Sequence, residues 1–126
     1  MSTDSIDSNP IIYAAQSEHD ELRGYIADEA PFVSVVSKVE TLGYHGLDTD
    51  AKAFLEDFFG AAAVLPVSQN VVEEAIRLRQ KRNMSLGDAL IAGTATSREL
   101  RVVTHNTGDF DWIDELEVFD PLERAV

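Results

Sequence analysis

Apolar positions along the chain alternate between short compact runs, which suit buried strands, and a recurrence every three or four residues, which suits helices packed by one face. The first run is weak, since Thr3-Asp4-Ser5-Ile6 offers a single aliphatic residue before Asp7. Pro10 to Gln16 reads as a helix entered through Ser8 or Asn9, and a second helix is expected from about Glu18 to Asp28. After Pro31, Phe32-Val33-Ser34 is strand-like. Val35, Val36, Val39 and Leu42 then take up helical spacing, with Ser34 or Ser37 as cap, until Gly43 and Gly46 interrupt it. Phe54, Leu55, Phe58 and Phe59 mark a helix from Ala51 to Phe59 ended by Gly60, and Ala62-Ala63-Val64-Leu65-Pro66 reads as a compact strand. Helices follow from Ser68 to Arg82 and, opened by Ser85, from Leu86 to about Glu99. Leu100 to Thr104 is a strand, Asn106-Thr107-Gly108-Asp109 a turn, and Val118-Phe119 a last strand.

Alternating strands and helices predict a parallel sheet covered by helices on both faces, because parallel neighbours need crossover connections. A chain of 126 residues supports one domain, 1–126, with a real core. Strand one fits poorly: it is more polar than a central parallel strand should be, and is expected to be short or frayed.

Composition narrows the chemistry. Hydrophobic residues at 44% and charged residues at 26% place the chain among ordered globular proteins. No apolar run approaches the roughly 18 residues of a membrane span. The start lacks the basic and apolar regions of a secretion signal, so a cytoplasmic protein with no membrane contact is expected. Zero cysteines exclude thiolate metal sites, and His19, His45 and His105 are scattered without zinc-type spacing. Any metal would sit among oxygens. A net charge of -13 opposes loose binding to polyanions, which rests on basic surfaces. Against that trend Arg77, Arg79, Lys81 and Arg82 cluster in one helical stretch. They read either as a guide for a polyanion or as a solvated face paired with Glu73 and Glu74.

Four acids, Asp7, Glu40, Asp88 and Asp109, stand where strand-like stretches give way to helices or turns, or at a helix start. Singly, each has a plain structural reading. Asp7 can start a turn or cap the next helix, Glu40 follows Ser37 and Asp88 follows Ser85 at capping-box spacing, and Asp109 suits a solvated turn. Together they map to one edge of an open α/β sheet, where residues distant in sequence converge. Crowded carboxylates raise one another's pKa unless a cation joins them. A hard divalent ion held by oxygens is the equipment for cutting phosphodiesters.

Four pieces carry a resemblance: Asp7-Ser8-Asn9 with Ile11-Ile12-Tyr13, the stretch Val33 to Tyr44 around Glu40, Leu86-Gly87-Asp88-Ala89-Leu90-Ile91-Ala92, and Val102-Val103-Thr104-His105-Asn106-Thr107-Gly108-Asp109-Phe110. In this order the chain resembles a PIN-domain ribonuclease of the VapC toxin type, over nearly its whole length. The resemblance implies a three-layer α/β/α fold with a mainly parallel, roughly five-stranded sheet. It implies Mg2+ or Mn2+ held by Asp7, Asp88 and Asp109, with Glu40 completing the acidic pocket and Asn9, Thr104 and Asn106 in support. A metal-activated water would hydrolyse RNA to 5′-phosphate and 3′-hydroxyl ends, and Arg77, Arg79, Lys81 and Arg82 become candidate RNA guides. A cognate antitoxin and a homodimer are implied as partners. Pro10, His105 where such proteins often carry arginine, and the polar first strand depart from the pattern. Two alternatives remain: a metal-dependent phosphatase acting on small phosphate esters, and a catalytically silent PIN-like binding module.

Overall fold

The computed structural model describes residues 2–16 and 19–123. The expected start of the second helix at Glu18 lies outside them. Five parallel strands form one sheet in the order β3-β2-β1-β4-β5, with β1 Asp4–Ile6, β2 Phe32–Ser34, β3 Val64–Leu65, β4 Arg101–Val103 and β5 Val118–Phe119. The helices are α1 Ser8–Ala14, α2 Asp20–Glu29, α3 Val35–Leu42, α4 Thr49–Ala61, α5 Gln69–Lys81 and α6 Leu86–Ser97. The three-layer α/β/α expectation holds, and its physical basis is visible in β4. Adjacent strand residues face opposite ways, so Val102 packs with α5 and α6 through Leu78, Ile91 and Ala95, while Val103 packs with α1 and α4 through Ile11, Leu55 and Phe58.

Caps fix where most helices begin. Ser34 Oγ accepts from Val36 N at 3.1 Å, Asp48 from Ala51 N at 2.8 Å, Ser68 from Val71 N at 3.3 Å and Ser85 from Asp88 N at 3.1 Å. In helix α1 the capping reading of Asp7 holds: Asp7, and not Ser8 or Asn9, is the N-cap, so the helix starts before the expected Pro10. Pro10 falls in the first turn, where backbone N–H groups have no intrahelical acceptor, and is accommodated there. Helix α4 runs through Gly60 to Ala61, since one exposed glycine weakens a helix without ending it. Gly93 has a sharper role. A Cβ there would lie 2.9 Å from Val71 O and 3.2 Å from Ala75 N, so its missing side chain lets α6 press against the backbone of α5.

Strand β1 is short, as expected, at 3 residues, but it is not frayed: it is the central strand, and Asp4, Ser5 and Ile6 are all buried. The charge of Asp4 explains how. Arg101, its register partner on β4, donates from Nε and Nη2 to the two carboxylate oxygens at 2.9 and 3.0 Å, and Tyr25 Oη donates a third bond. The Arg101 guanidinium also covers the Phe119 ring at 4.3 Å. Among the described residues, no helix is long and apolar enough to cross a membrane.

Candidate functional site

The order β3-β2-β1-β4-β5 reverses direction between β1 and β4, and the gap beyond the carboxyl ends of those two strands is where open α/β sheets place ligands. Asp7 leaves β1 at that point. Its backbone N–H continues the ladder to Val103 O at 2.8 Å, which fixes the Cα, and its carboxylate is held from two sides. Oδ1 accepts from Ser8 N at 2.7 Å, and Oδ2 accepts from the Thr104 hydroxyl, beyond β4, at 2.9 Å. Thr104 is fully buried and receives the Asn106 N–H at 3.0 Å on its own oxygen; its single proton goes to the Asp7 carboxylate at 2.9 Å, the shorter and charged alternative to Asn9 Oδ1 at 3.4 Å. Asn9 completes this layer by accepting the His105 N–H on Oδ1 at 3.2 Å. Its Nδ2 is buried with no partner among the described residues.

Helix α3 brings Glu40 to the same edge. The capping reading fails here, because Ser34 caps α3 and Ser37 lies within the helix, buried, 2.9 Å from the Ser8 hydroxyl. Ser8 donates to Glu40 Oε1 at 2.7 Å; with one proton available, Ser37 must then donate to Ser8. The other Glu40 oxygen reaches the start of α6, where a Cβ on Gly87 would lie 2.4 Å from it. Absence of that carbon admits an anion beside a helix N-terminus, its favourable end. In the next position Asp88 occupies the first turn of α6, and here the capping reading holds for Ser85. Asp109 ends a short 3-10 turn, Thr107–Asp109, and is exposed.

Charge links these groups. Burial pushes the Asp7 carboxyl up from 3.8 to about 6; the bonds from Ser8 and Thr104 oppose that, and the negative charges of Asp88 and Glu40 add to it. Asp88 is likewise raised, by burial first and then by Asp109 and Glu40. Among the described residues none of the four acids has a Lys or Arg ion-pair partner. They do not form a closed cage either, since among the described residues no three Asp, Glu, His or Cys side chains are grouped tightly enough to share one ion. Each carboxylate hangs from a different element, and Asp7 and Glu40 are tied back by Thr104 and Ser8. Hard oxygen donors carrying uncompensated charge still suit Mg2+ or Mn2+, because Mg2+ keeps several waters and is reached through them.

The four basic residues divide. Arg77 is committed to Glu74 at 3.1 Å and to Glu115. Arg79 and Arg82 instead line a cleft with Asp88 and Asp109, and Lys81 lines a smaller hollow beyond it. Trp112 shares the cleft and was not singled out by sequence reasoning; as the sole tryptophan, four residues after the Gly108 turn, it was the available signal. His105 is half exposed, with Nδ1 3.0 Å from Asp120 and its ring edge-on to Tyr13.

A parallel sheet with an acidic switch point defines an α/β protein built to act at its strand ends. The PIN domain family matches residues 5–116, and the chain belongs to it. No curated protein matches the chain at a significant level. Among solved structures it is similar to a toxin–antitoxin complex from Klebsiella pneumoniae, with 25% identity over 95% of this chain and 98% of that one and a TM-score of 0.73. It shares its fold with DNA-bound VapBC from Salmonella typhimurium at 21% identity, 96% and 99% coverage and a TM-score of 0.81. The same is true of FitAcB from Neisseria gonorrhoeae at 23% identity, 96% and 99% coverage and a TM-score of 0.74.

Proposed function

We propose that the protein is a VapC-type toxin, an endoribonuclease that uses Mg2+ or Mn2+ and is neutralised by a cognate antitoxin. The observation that supports this reading best is the acid edge itself. Asp7 feels the charges of Asp88 and Glu40, and Asp88 those of Asp109 and Glu40, at the switch point of a PIN fold, and among the described residues none of these acids has a Lys or Arg ion-pair partner. Asp7, Asp88 and Asp109 would hold the cation, directly or through water, and Glu40 would complete the pocket. When bound, the cation activates a water for in-line attack on phosphorus and neutralises charge on the departing 3′ oxygen.

The chain's own residues prepare that step. Thr104 and the Ser8 N–H hold both oxygens of Asp7 in place, and Asn106 fixes Thr104. Ser8 and Ser37 hold Glu40 against α6.

An antitoxin segment has a surface to occupy. A groove of about 770 Å3 between α1, α2, α3 and the start of α4 is lined by Ile12, Tyr44 and Leu47 together with Asp48 and Asp50; Arg23 also lines it but is engaged with Ala14 O and the Phe54 ring, so an apolar segment with basic residues would fit the acidic end. Val72 and Ile76, exposed on α5, are suited to a homodimer contact.

The test is cleavage of single-stranded and structured RNA in Mg2+, Mn2+ or chelator, with wild type beside Asp7→Asn and Asp88→Asn. Cleavage is expected in either metal, and is lost in chelator and in both variants. Cleavage that survives chelator, or both substitutions, rejects the mechanism; turnover of generic phosphate esters with none on RNA replaces it with the phosphatase.

A further inference from the structure

The cleft beside the acid edge has a volume of about 490 Å3, and Asp88, Asp109, Arg79, Arg82 and Trp112 are among its lining residues. Its cationic wall is unusual for so acidic a chain. Among the described residues Arg79 and Arg82 make no ion pair, although carboxylates share their cleft and Arg77, close by on the same helix, has two acidic partners. Arg79 is oriented by donating from Nε to Met84 O at 3.2 Å. Trp112 is anchored by one edge, where Nε1 donates to Asp109 O at 3.1 Å, and Arg82 lies over its ring at 5.4 Å. Trp112 and Arg82 also line the smaller hollow beyond, so the pair forms a wall between the two spaces.

These groups ask for different things of one ligand. Guanidiniums take phosphate oxygens through paired N–H groups. The indole is anchored at Nε1, packs in part against the core and has Arg82 over its ring, so it meets the cleft with the surface that remains; stacking of bases on such aromatic side chains is indifferent to base identity. The carboxylate side takes the cation. A ligand that meets all three has a phosphate and an unstacked base on the same short unit, which is an unpaired nucleotide; a duplex keeps its bases away from such a face.

Resting on the ribonuclease reading, we propose that this cleft is a nucleotide subsite in which Trp112 stacks the unpaired base beside the cleaved phosphate, while Arg79 and Arg82 hold phosphate oxygens. Strand selection then belongs to Trp112, and the acid edge is left to cut whatever is seated.

The sole tryptophan is its own reporter. Intrinsic fluorescence of the full chain in Mg2+ buffer is titrated with adenosine 5′-monophosphate and, in parallel, with ribose 5-phosphate. The nucleotide should quench saturably and the sugar phosphate should not, and Arg82→Ala should weaken the nucleotide titration about tenfold, on the scale of one stacked and charge-assisted contact. For cleavage, Trp112→Ala should raise KM for unpaired RNA about tenfold, more than it lowers kcat, and Trp112→Phe should recover most of that loss. Equal quenching by both probes, no quenching by the nucleotide, or an unchanged KM in Trp112→Ala overturns the subsite. If wild type cleaves no RNA, the ribonuclease reading fails and the fluorescence titration still decides the subsite; if Trp112→Ala does not fold, Arg82→Ala decides it.

Discussion

Asp4 and Asp7 stand at opposite ends of β1, 2% and 6% exposed, and the fold surrounds them differently. Asp4 receives a two-pronged guanidinium and a phenol hydroxyl, so its charge is matched inside the sheet. Asp7 receives a backbone N–H and a threonine hydroxyl but no cationic side chain, and two further carboxylates crowd it. A buried acid with a matched partner serves architecture. A buried acid among others of its kind is kept at a cost, and points to chemistry.

The sharpest way to break this contrast is to remove the partner at the matched end. Arg101→Met leaves Asp4 buried and unmatched, and should cost about 3 kcal/mol, the lower end of the range because Arg101 is partly exposed. Urea unfolding measures it, and adding Asp4→Leu should recover most of the loss. A small effect of Arg101→Met alone would mean that Asp4 does not need its partner.

At the other end the same kind of deletion should stabilise. The folded chain raises Asp7 from 3.8 to about 6, so it binds that proton more tightly than the unfolded chain does. The associated stability is fully present below about pH 4 and is lost as pH rises through 6. Asp7→Asn should therefore be more stable than wild type at pH 7 in chelator, by about 2 kcal/mol once one lost hydrogen bond is set against the relieved charge. Melting curves between pH 3 and 8 should show the gap closing on the acid side, and Mg2+ should raise the melting point of wild type alone. A variant less stable than wild type at pH 7 would end the argument for stored charge.

Thr104→Val tests the support under Asp7. It should cost about 1 kcal/mol in urea unfolding and weaken Mg2+ affinity about tenfold by calorimetry. Gly87→Ala should change stability least, by roughly 0.5 kcal/mol, because the exposed Glu40 carboxylate can swing aside. It should still slow RNA cleavage, since Glu40 then leaves the start of α6.

The two ends of β1 also differed in how far they could be read from sequence. Asp7, Glu40, Asp88 and Asp109 each follow a local signal, a strand end or a helix start, and local periodicity is what a single sequence carries. The bond that makes Asp4 tolerable joins residues 97 positions apart, so the polarity of Thr3-Asp4-Ser5-Ile6 argued for a weak strand when the partner that rescues it was out of view. Ser37 misled for a related reason. Its spacing to Glu40 fits a cap, but Ser34 at the true strand-to-helix junction takes that role, and Ser37 turns inward to Ser8. The basic cluster looked uniform because helical periodicity had not been set against neighbours: only tertiary packing tells Arg77, facing Glu115, from Arg82, facing Trp112. Trp112 lies in a segment with no regular element, where sequence patterning gives no direction to a side chain.

Where Gly93 lets α6 meet the main chain of α5, no side chain is interposed that could change rotamer and let the two helices slide. Arg79 on α5 and Asp88 on α6 thus ride on one bracket in which peptide meets peptide, and Arg82 follows directly as the extended residue that ends α5. The opposite bank is pinned differently: between Asp109 and Trp112 the chain sinks Phe110 into the core and Ile113 follows it, so that side of the cleft is moored by side chains where its partner is moored by main chain.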